Sequence, residues 1–276
     1  MLKDVTLGQF FPGGSLVHRT DARIKLLCAI AYIVAIFLAK SAAAYGLLIV
    51  VSVLLAAVSG IPLKTLAKST KPLLFIVIIT ALINIFWYSA PDGTTPIASF
   101  WKINIYAEGL IAALYMMIRI VCLIVGTSVI LTYTTSPIAL TDAIERILSP
   151  LKKIKLPVHE FAMMMTIALR FIPTLIEETD KIMSAQKARG ADFSSGGLIK
   201  RAKALIPILI PLFISAFRRA DELAVAMECR CYRGGEGRTK MTVSKLTPTD
   251  ALLPLFMGLF IAGTVLLGKY VPYYTV

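Results

Sequence analysis

The chain has 276 residues, of which 57% are hydrophobic and 16% are charged, and its formal net charge is +13 at pH 7. Its mean hydropathy of +0.78 and its long apolar runs exclude an ordinary soluble globular domain, in which about 45–50% of residues are apolar. Roughly 20 mostly apolar helical residues cross the hydrocarbon core of a bilayer.

Five runs approach that length, and we predict that each is a transmembrane helix: residues 24–39, 45–61, 72–88, 109–133 and 251–268. Lysine and arginine concentrate in cytoplasmic loops, and placing the N-terminus inside puts 25 of the 29 basic residues on that side. The same bias accounts for the net charge without a nucleic-acid partner. We therefore expect a multi-pass protein of the cell membrane, with its N-terminus inside and its C-terminus outside.

The composition divides the chain into a membrane domain with four spans at 1–135, a mixed region at 136–249 and a C-terminal span in 250–276. In the mixed region, the apolar runs 161–176 and 204–217 contain proline and lead into charged, amphipathic stretches. We predict two long helices that start at membrane depth and extend into the cytoplasm; spanning helices are the alternative. The predicted fold class is thus an all-α integral membrane protein, with about five transmembrane helices and long amphipathic helices between the fourth and fifth spans.

The two amphipathic stretches share the pattern D-x-[IL]-x-x-A-x-x-x-R when Arg189 is aligned with Arg230. Both copies end in an arginine flanked by small residues, Ala188–Arg189–Gly190 and Cys229–Arg230–Cys231. An arginine at a helix C-terminus suits the helix dipole, and its planar guanidinium can bind carboxylates through two hydrogen bonds. The triplets therefore predict docking sites, whereas solvated basic helix ends or contacts with anionic lipid headgroups are the alternatives.

No catalytic or metal site is predicted. Structural zinc needs four ligands, and the two histidines, His18 and His159, are not spaced with Cys229 and Cys231 as such a site requires. The phosphate-binding pattern G-x-x-x-x-G-K-[ST] does not occur in the sequence, so we expect the chain itself not to hydrolyse ATP. We expect no cofactor.

Two polar residues fall within predicted spans. Arg119 lies in the fourth span, where an ionisable residue is a functional candidate, and Asn84 in the third span is a candidate partner for it. The alternative is an arginine that snorkels or binds backbone carbonyls within the helix bundle.

Residues 140–193 and 201–239 strongly resemble the transmembrane T component of energy-coupling factor (ECF) transporters, and residues 12–27 resemble that family's opening segment. The resemblance covers nearly the whole chain and is closest to the shared-module type, in which one T component serves several vitamin-binding partners. Its specific marks are the two arginine triplets. Cys229 departs from the family pattern, in which alanine commonly precedes the arginine.

The resemblance implies a non-catalytic membrane scaffold that couples ATP hydrolysis in two ABC-type ATPases to uptake of a vitamin or micronutrient by a membrane S component. The long amphipathic helices would be its coupling helices. It assigns one triplet, Ala188–Arg189–Gly190 or Cys229–Arg230–Cys231, to each ATPase. Candidate contacts with the S component are four flexible methionines, whose alternative role is packing within the chain: Met163, Met164, Met165 and Met183.

Three other functions remain open at this point. A secondary carrier would require inverted repeats and broken, charged spans, and a membrane enzyme would require a convergent catalytic set. A dedicated T component for a transition-metal transporter would differ in substrate and not in mechanics.

Overall fold

The computed structural model describes residues 10–86, 98–100, 103–191, 193, 197–234 and 246–270. Within these ranges the fold is helical apart from one short hairpin. The helices are α1 (Leu16–Arg19), α2 (Ala22–Leu38), α3 (Ala42–Ser59), α4 (Leu63–Thr70), α5 (Leu74–Phe86), α6 (Ala107–Thr127), α7 (Pro137–Ile147), α8 (Val158–Ala188), α9 (Leu198–Cys229) and α10 (Leu252–Tyr270). Shorter 3₁₀ turns cover Lys71–Leu73, Ser149–Ile154 and Pro248–Ala251, and a π-helical segment covers Ser128–Tyr133.

Five of the described helical segments are long and apolar enough to cross a membrane: Ala42–Ser59, Lys64–Phe86, Ala107–Tyr133, Val158–Ala188 and Leu252–Tyr270. Four of them match predicted spans. The fifth is α8, because its apolar first half and the residues that follow form one continuous helix. The first predicted span corresponds to α2, whose 17 residues lie at the lower limit for crossing a bilayer.

The third span begins earlier than its apolar run indicates. The predicted second span ends at residue 61 and the third starts at residue 72, so the residues between them, with Lys64, Lys68 and Lys71, were expected to form a loop. Instead, α4 makes most of this stretch helical and leads through a 3₁₀ turn into α5. Pro72 lies in the first positions of that turn, where its fixed φ is compatible with a helical backbone.

A two-stranded antiparallel hairpin lies before α6, between the third and fourth predicted spans. Strands β1 (Ala98–Phe100) and β2 (Ile103–Ile105) pair with Ala98 opposite Ile105. The predicted all-α fold class is confirmed, and this six-residue hairpin is a local exception among the described residues. Pairing between two three-residue segments has no periodicity that a single sequence would display.

Two compact units divide the described chain, one drawn from residues 144–243 and the other from residues 8–143 and 244–276. The boundary falls within α7, which the composition assigned entirely to the region 136–249. The functional division at 135/136 and 249/250 stays a prediction.

The core of the larger unit lies among α2, α3, α6 and α10. Tyr32 of α2 is fully buried, its hydroxyl lies 2.7 Å from Ser52 Oγ and 2.9 Å from the Cys122 carbonyl oxygen, and its ring stacks on Phe260 at 5.9 Å. Gly126 packs so closely against this ring that a Cβ at that position would collide with it. One aromatic side chain thereby ties four helices together.

A buried polar cluster joins the starts of α2 and α10 to the end of the π-helical segment. Lys25 is 2% exposed, and its Nζ donates to the carbonyl oxygens of Thr134 (2.8 Å) and His18 (3.2 Å). Asp250 accepts the backbone N–H groups of Asp21 (2.9 Å) and Thr247 (2.7 Å). Burial by itself would raise the pKa of Asp250, but these hydrogen bonds outweigh it and hold the pKa below its usual value. The carboxylate is therefore ionised at neutral pH, as a cap for two chain segments.

Candidate functional site

Two long helices, α8 and α9, carry both arginine triplets at their ends. They contain 31 and 32 residues, and Pro173 of α8 and Pro207 and Pro211 of α9 lie inside them without ending either helix. The first half of α8 is mostly apolar and its second half is charged. In α9 the apolar run 204–217 lies between the basic residues Lys200, Arg201 and Lys203 and a charged C-terminal part. The two long helices are present and continuous through the prolines, although α9 begins at Leu198, six residues before its apolar run. Their position relative to the membrane stays a prediction.

One ion pair joins the two helices at matching positions. Arg219 of α9 donates to Glu178 of α8 at 2.9 Å, and each of these residues lies eleven positions before the arginine that ends its helix. Contact between equivalent positions is what an approximate two-fold relation between the helices produces where they meet. Both side chains are about one-third exposed, so the pair contributes roughly 0–1 kcal/mol. The pair matters because it fixes how the two helices are aligned: each triplet lies about 16 Å along its own helix from this contact.

Both helices end in the same hydrogen-bonding motif, with arginine as the last residue before the chain turns. In α8, Gly190 N–H donates to the Lys187 carbonyl (3.0 Å) and Ala191 N–H to the Gln186 carbonyl (3.0 Å). These two bonds define a Schellman cap. It anchors the backbone of Arg189 while leaving its side chain exposed.

The end of α9 repeats this cap one for one. Cys231 N–H donates to the Glu228 carbonyl (2.8 Å) and Tyr232 N–H to the Met227 carbonyl (3.0 Å), which makes Arg230 the counterpart of Arg189. Both triplets are exposed throughout, and neither guanidinium has a carboxylate partner among the described residues. Cys229 and Cys231 are free thiols.

The residue after each arginine has a left-handed backbone, with φ +86° at Gly190 and φ +57° at Cys231. The sequence showed only that small residues flank each arginine, whereas the cap itself requires this conformation at the residue after it. Glycine adopts it without cost, whereas a residue with a Cβ does not. Cys231 is therefore strained where Gly190 is not.

Cys231→Gly should stabilise the end of α9 by about 1 kcal/mol, because glycine removes the left-handed penalty. Gly190→Ala should destabilise the end of α8 by a similar amount. Hydrogen–deuterium exchange of the capping amides measures both, and about a fivefold slowing at residues 231 and 232 is expected for the first variant. Cys229→Ala, two residues earlier and still within α9, is the matched control and should leave these rates unchanged. Equal exchange in wild type and Cys231→Gly would contradict the strain.

The four methionines differ in exposure. Met164 and Met165 are 57% and 42% exposed, whereas Met163 and Met183 are half-buried. A larger apolar face lies on α9, where residues spaced by four are exposed: Leu205, Leu209, Phe213 and Phe217, flanked by Ile206, Ile210 and Ile214. The spacing of this α9 stripe is visible in the sequence, but the contact residues expected from the sequence were the four methionines alone.

Arg119 and Asn84 do not pair. The Arg119 guanidinium donates to the Ala39 carbonyl (3.3 Å) and to the Tyr45 hydroxyl, and lies 5.6 Å from the centre of the Tyr45 ring. Asn84 donates instead to the Thr80 carbonyl one turn earlier in its own helix, at 2.8 Å. The proposed partnership is wrong because the two side chains bind different groups, although the buried Nε of Arg119 has no hydrogen-bond partner among the described residues. Through Ala39 and Tyr45, Arg119 links α6 to α2 and α3.

In the described ranges, no three histidine, cysteine, aspartate or glutamate side chains come together as a metal site would require. The features that α8 and α9 do offer are two exposed arginine tips, Arg189 and Arg230, and the apolar α9 stripe.

Comparison with known proteins gives a consistent result. Residues 13–241 match the family described as Cobalt transport protein, CbiQ. A protein of Clostridium kluyveri is 54% identical over 256 residues, covering 92% of this chain and 93% of its own, and one of Ruminiclostridium cellulolyticum is 52% identical over 267 residues, covering 97% and 98%. A Bacillus subtilis protein is 48% identical over 240 residues, covering 87% and 89%. All three are named energy-coupling factor transporter transmembrane protein EcfT.

Proposed function

The chain belongs to the EcfT family of energy-coupling factor transporter transmembrane proteins, and on this premise we propose that it is a scaffold coupling two partner ATPases to a membrane S component. ATP hydrolysis takes place in the partners, and the scaffold itself is not catalytic. The S component binds the transported vitamin or micronutrient.

The observation that carries this proposal is the pair of identical helix caps, each presenting an exposed arginine. Two equivalent tips suit two similar partners, and a guanidinium can bind a carboxylate in a partner's groove through two hydrogen bonds. Ala188, Arg189 and Gly190 form one docking element; Cys229, Arg230 and Cys231 form the other. The small neighbours keep each tip narrow enough to enter a groove.

The apolar halves of α8 and α9 then meet the S component. The exposed Met164 and Met165 and the α9 stripe supply adaptable surface, because methionine repacks readily against different partners. When ATP binding draws the two ATPases together, the tips move relative to one another, and the rigid helices transmit that movement to the apolar halves.

The orientation follows from the distribution of charge. With the N-terminus inside the cell, α8 and α9 present their charged halves to the cytoplasm, where ATP and the ATPases are. The C-terminus then lies outside, in a multi-pass protein of the cell membrane.

A dedicated metal-transport scaffold is the second candidate, favoured by the description of the matched family as cobalt transport proteins. The identity of the S components separates the two: a shared scaffold binds several with different substrates, whereas a dedicated scaffold binds one.

Affinity purification of the chain from its native membrane, with mass spectrometry of the co-purifying subunits, tests the proposal. We expect two ATPases and at least one S component, ATPase activity in the complex, and neither ATPase activity nor vitamin binding in the chain purified alone. Either activity in the isolated chain, or recovery without any ATPase, would overturn the scaffold assignment.

A further inference from the structure

Helices α3, α4 and α6 line an open apolar groove that has no role in the proposed coupling function. Its volume is about 620 Å³, and its lining includes Ile49, Val53 and Ala56 of α3, Ala67 of α4, and Val121 and Val125 of α6. These residues belong to the larger compact unit.

The polar side chains in the lining are already hydrogen-bonded within the protein. Ser52 Oγ lies 2.7 Å from both the Leu48 carbonyl and the Tyr32 hydroxyl, and Thr70 Oγ1 donates to the Leu66 carbonyl at 2.9 Å. A polar group entering the groove would lose its hydration without gaining partners from these hydroxyls. The groove therefore suits a hydrocarbon.

One edge of the groove is strongly basic. Lys64, Lys68 and Lys71 are exposed and follow one face of the helical segment, and two of them lie one turn on either side of Ala67, which lines the groove. Their four-carbon stems can run along apolar surface while the ammonium groups stay in a polar layer. No aspartate or glutamate occurs between residues 22 and 91, so this helix offers the lysines no acidic partner.

The dimensions fit one leaflet of a bilayer. The α3 lining from Ile49 to Ala56 rises about 10 Å, within the roughly 15 Å that half of a hydrocarbon core provides. Ala56 lies towards the end of α3 that leads into α4, so Lys64, at the start of α4, lies near that end of the groove, where a headgroup would be.

We propose that this groove binds one anionic phospholipid, with an acyl chain against α3 and α6 and its phosphate on Lys64, Lys68 and Lys71. Zwitterionic phospholipids can fill the groove equally well but gain less at its basic edge, because their headgroups carry no net charge. The site is independent of ATPase docking.

Native mass spectrometry of the full-length chain, purified in detergent with equimolar phosphatidylglycerol and phosphatidylcholine, tests this site. We expect one retained lipid per chain and a preference for phosphatidylglycerol on the order of tenfold. Changing Lys64, Lys68 and Lys71 together to glutamine should reduce that preference to about one. Ala67→Phe, which fills the groove, should reduce retention of both lipids.

A matched control changes three exposed lysines of the other compact unit, Lys153, Lys187 and Lys203, to glutamine. It should keep the wild-type preference. Equal retention of the two lipids by wild type, or an unchanged preference after the Lys64, Lys68 and Lys71 substitutions, would overturn the proposal. So would an Ala67→Phe variant that retains lipid normally but no longer recovers its S component, since the groove would then be a protein-docking surface.

Discussion

Arg189→Glu and Arg230→Glu should each release one ATPase from the complex while the chain remains in the membrane. Each substitution reverses the charge of an exposed helix tip without altering the backbone bonds of its cap. Losing one member of a desolvated, hydrogen-bonded charge pair costs about 2–5 kcal/mol in binding, so affinity for the corresponding ATPase should fall by a factor of roughly 30 to several thousand. Quantitative co-purification of each ATPase measures the loss.

Two controls separate docking from general electrostatics. Lys187→Glu and Arg233→Glu reverse exposed charges two and three positions from the critical arginines, and should weaken association only slightly. Arg189→Lys keeps the charge but loses the planar fork, so it should fall between wild type and Arg189→Glu. Full recovery of both ATPases with Arg189→Glu and Arg230→Glu would contradict the docking hypothesis. Equal losses with the two control variants would show that the ATPases respond to overall charge and not to these two arginines.

Gly126→Ala should be among the most destabilising single changes in the membrane bundle. The added methyl group would collide with the ring of Tyr32, which is fully buried and held through its hydroxyl by contacts with Ser52 and the Cys122 carbonyl. Overpacking of this kind costs typically 1–3 kcal/mol and sometimes more, and we expect about 3 kcal/mol because the ring has no free direction. Thermal unfolding of the detergent-solubilised protein measures it.

Gly46→Ala is the matched control, since a Cβ at Gly46 of α3 meets no other atom within 4 Å. It should leave stability unchanged or raise it by up to about 1 kcal/mol through helix propensity. Combining Gly126→Ala with Tyr32→Leu should cost less than the sum of the two single changes, because the smaller side chain removes the collision. If the stability losses of the two single variants simply added in the double variant, the Tyr32 ring would not be the group that excludes a side chain at Gly126.

Periodicity and hydropathy are local properties, and they predicted what is local. The positions of α2, α3, α6 and α10 follow from uninterrupted apolar runs and agree with the sequence to within a few residues. The start of the third span was placed too late because lysines were read as a loop, although nothing in residues 64–71 breaks a helix.

Contacts between distant segments were beyond such patterns. The Tyr32 cluster, the buried Lys25 and the separate partners of Arg119 and Asn84 depend on which helix faces which. The arginine triplets were found because the chain repeats them, yet the reason for a small residue after each arginine was only half recognised. The residue after each arginine adopts the left-handed backbone that ends the helix, which glycine does without cost and Cys231 does not.

The Glu178–Arg219 contact has a mechanical consequence for a pair of rigid rods. A pivot there leaves arms of about 16 Å to each arginine tip and about 25 Å back to Phe161 at the apolar end of α8. Because the arm on the apolar side is longer, a displacement of about 3 Å at an arginine tip becomes roughly 5 Å at the far end of the helix. A small movement of the arginine tips, as the proposed closure of the ATPases would cause, would thus become larger at the apolar end of α8.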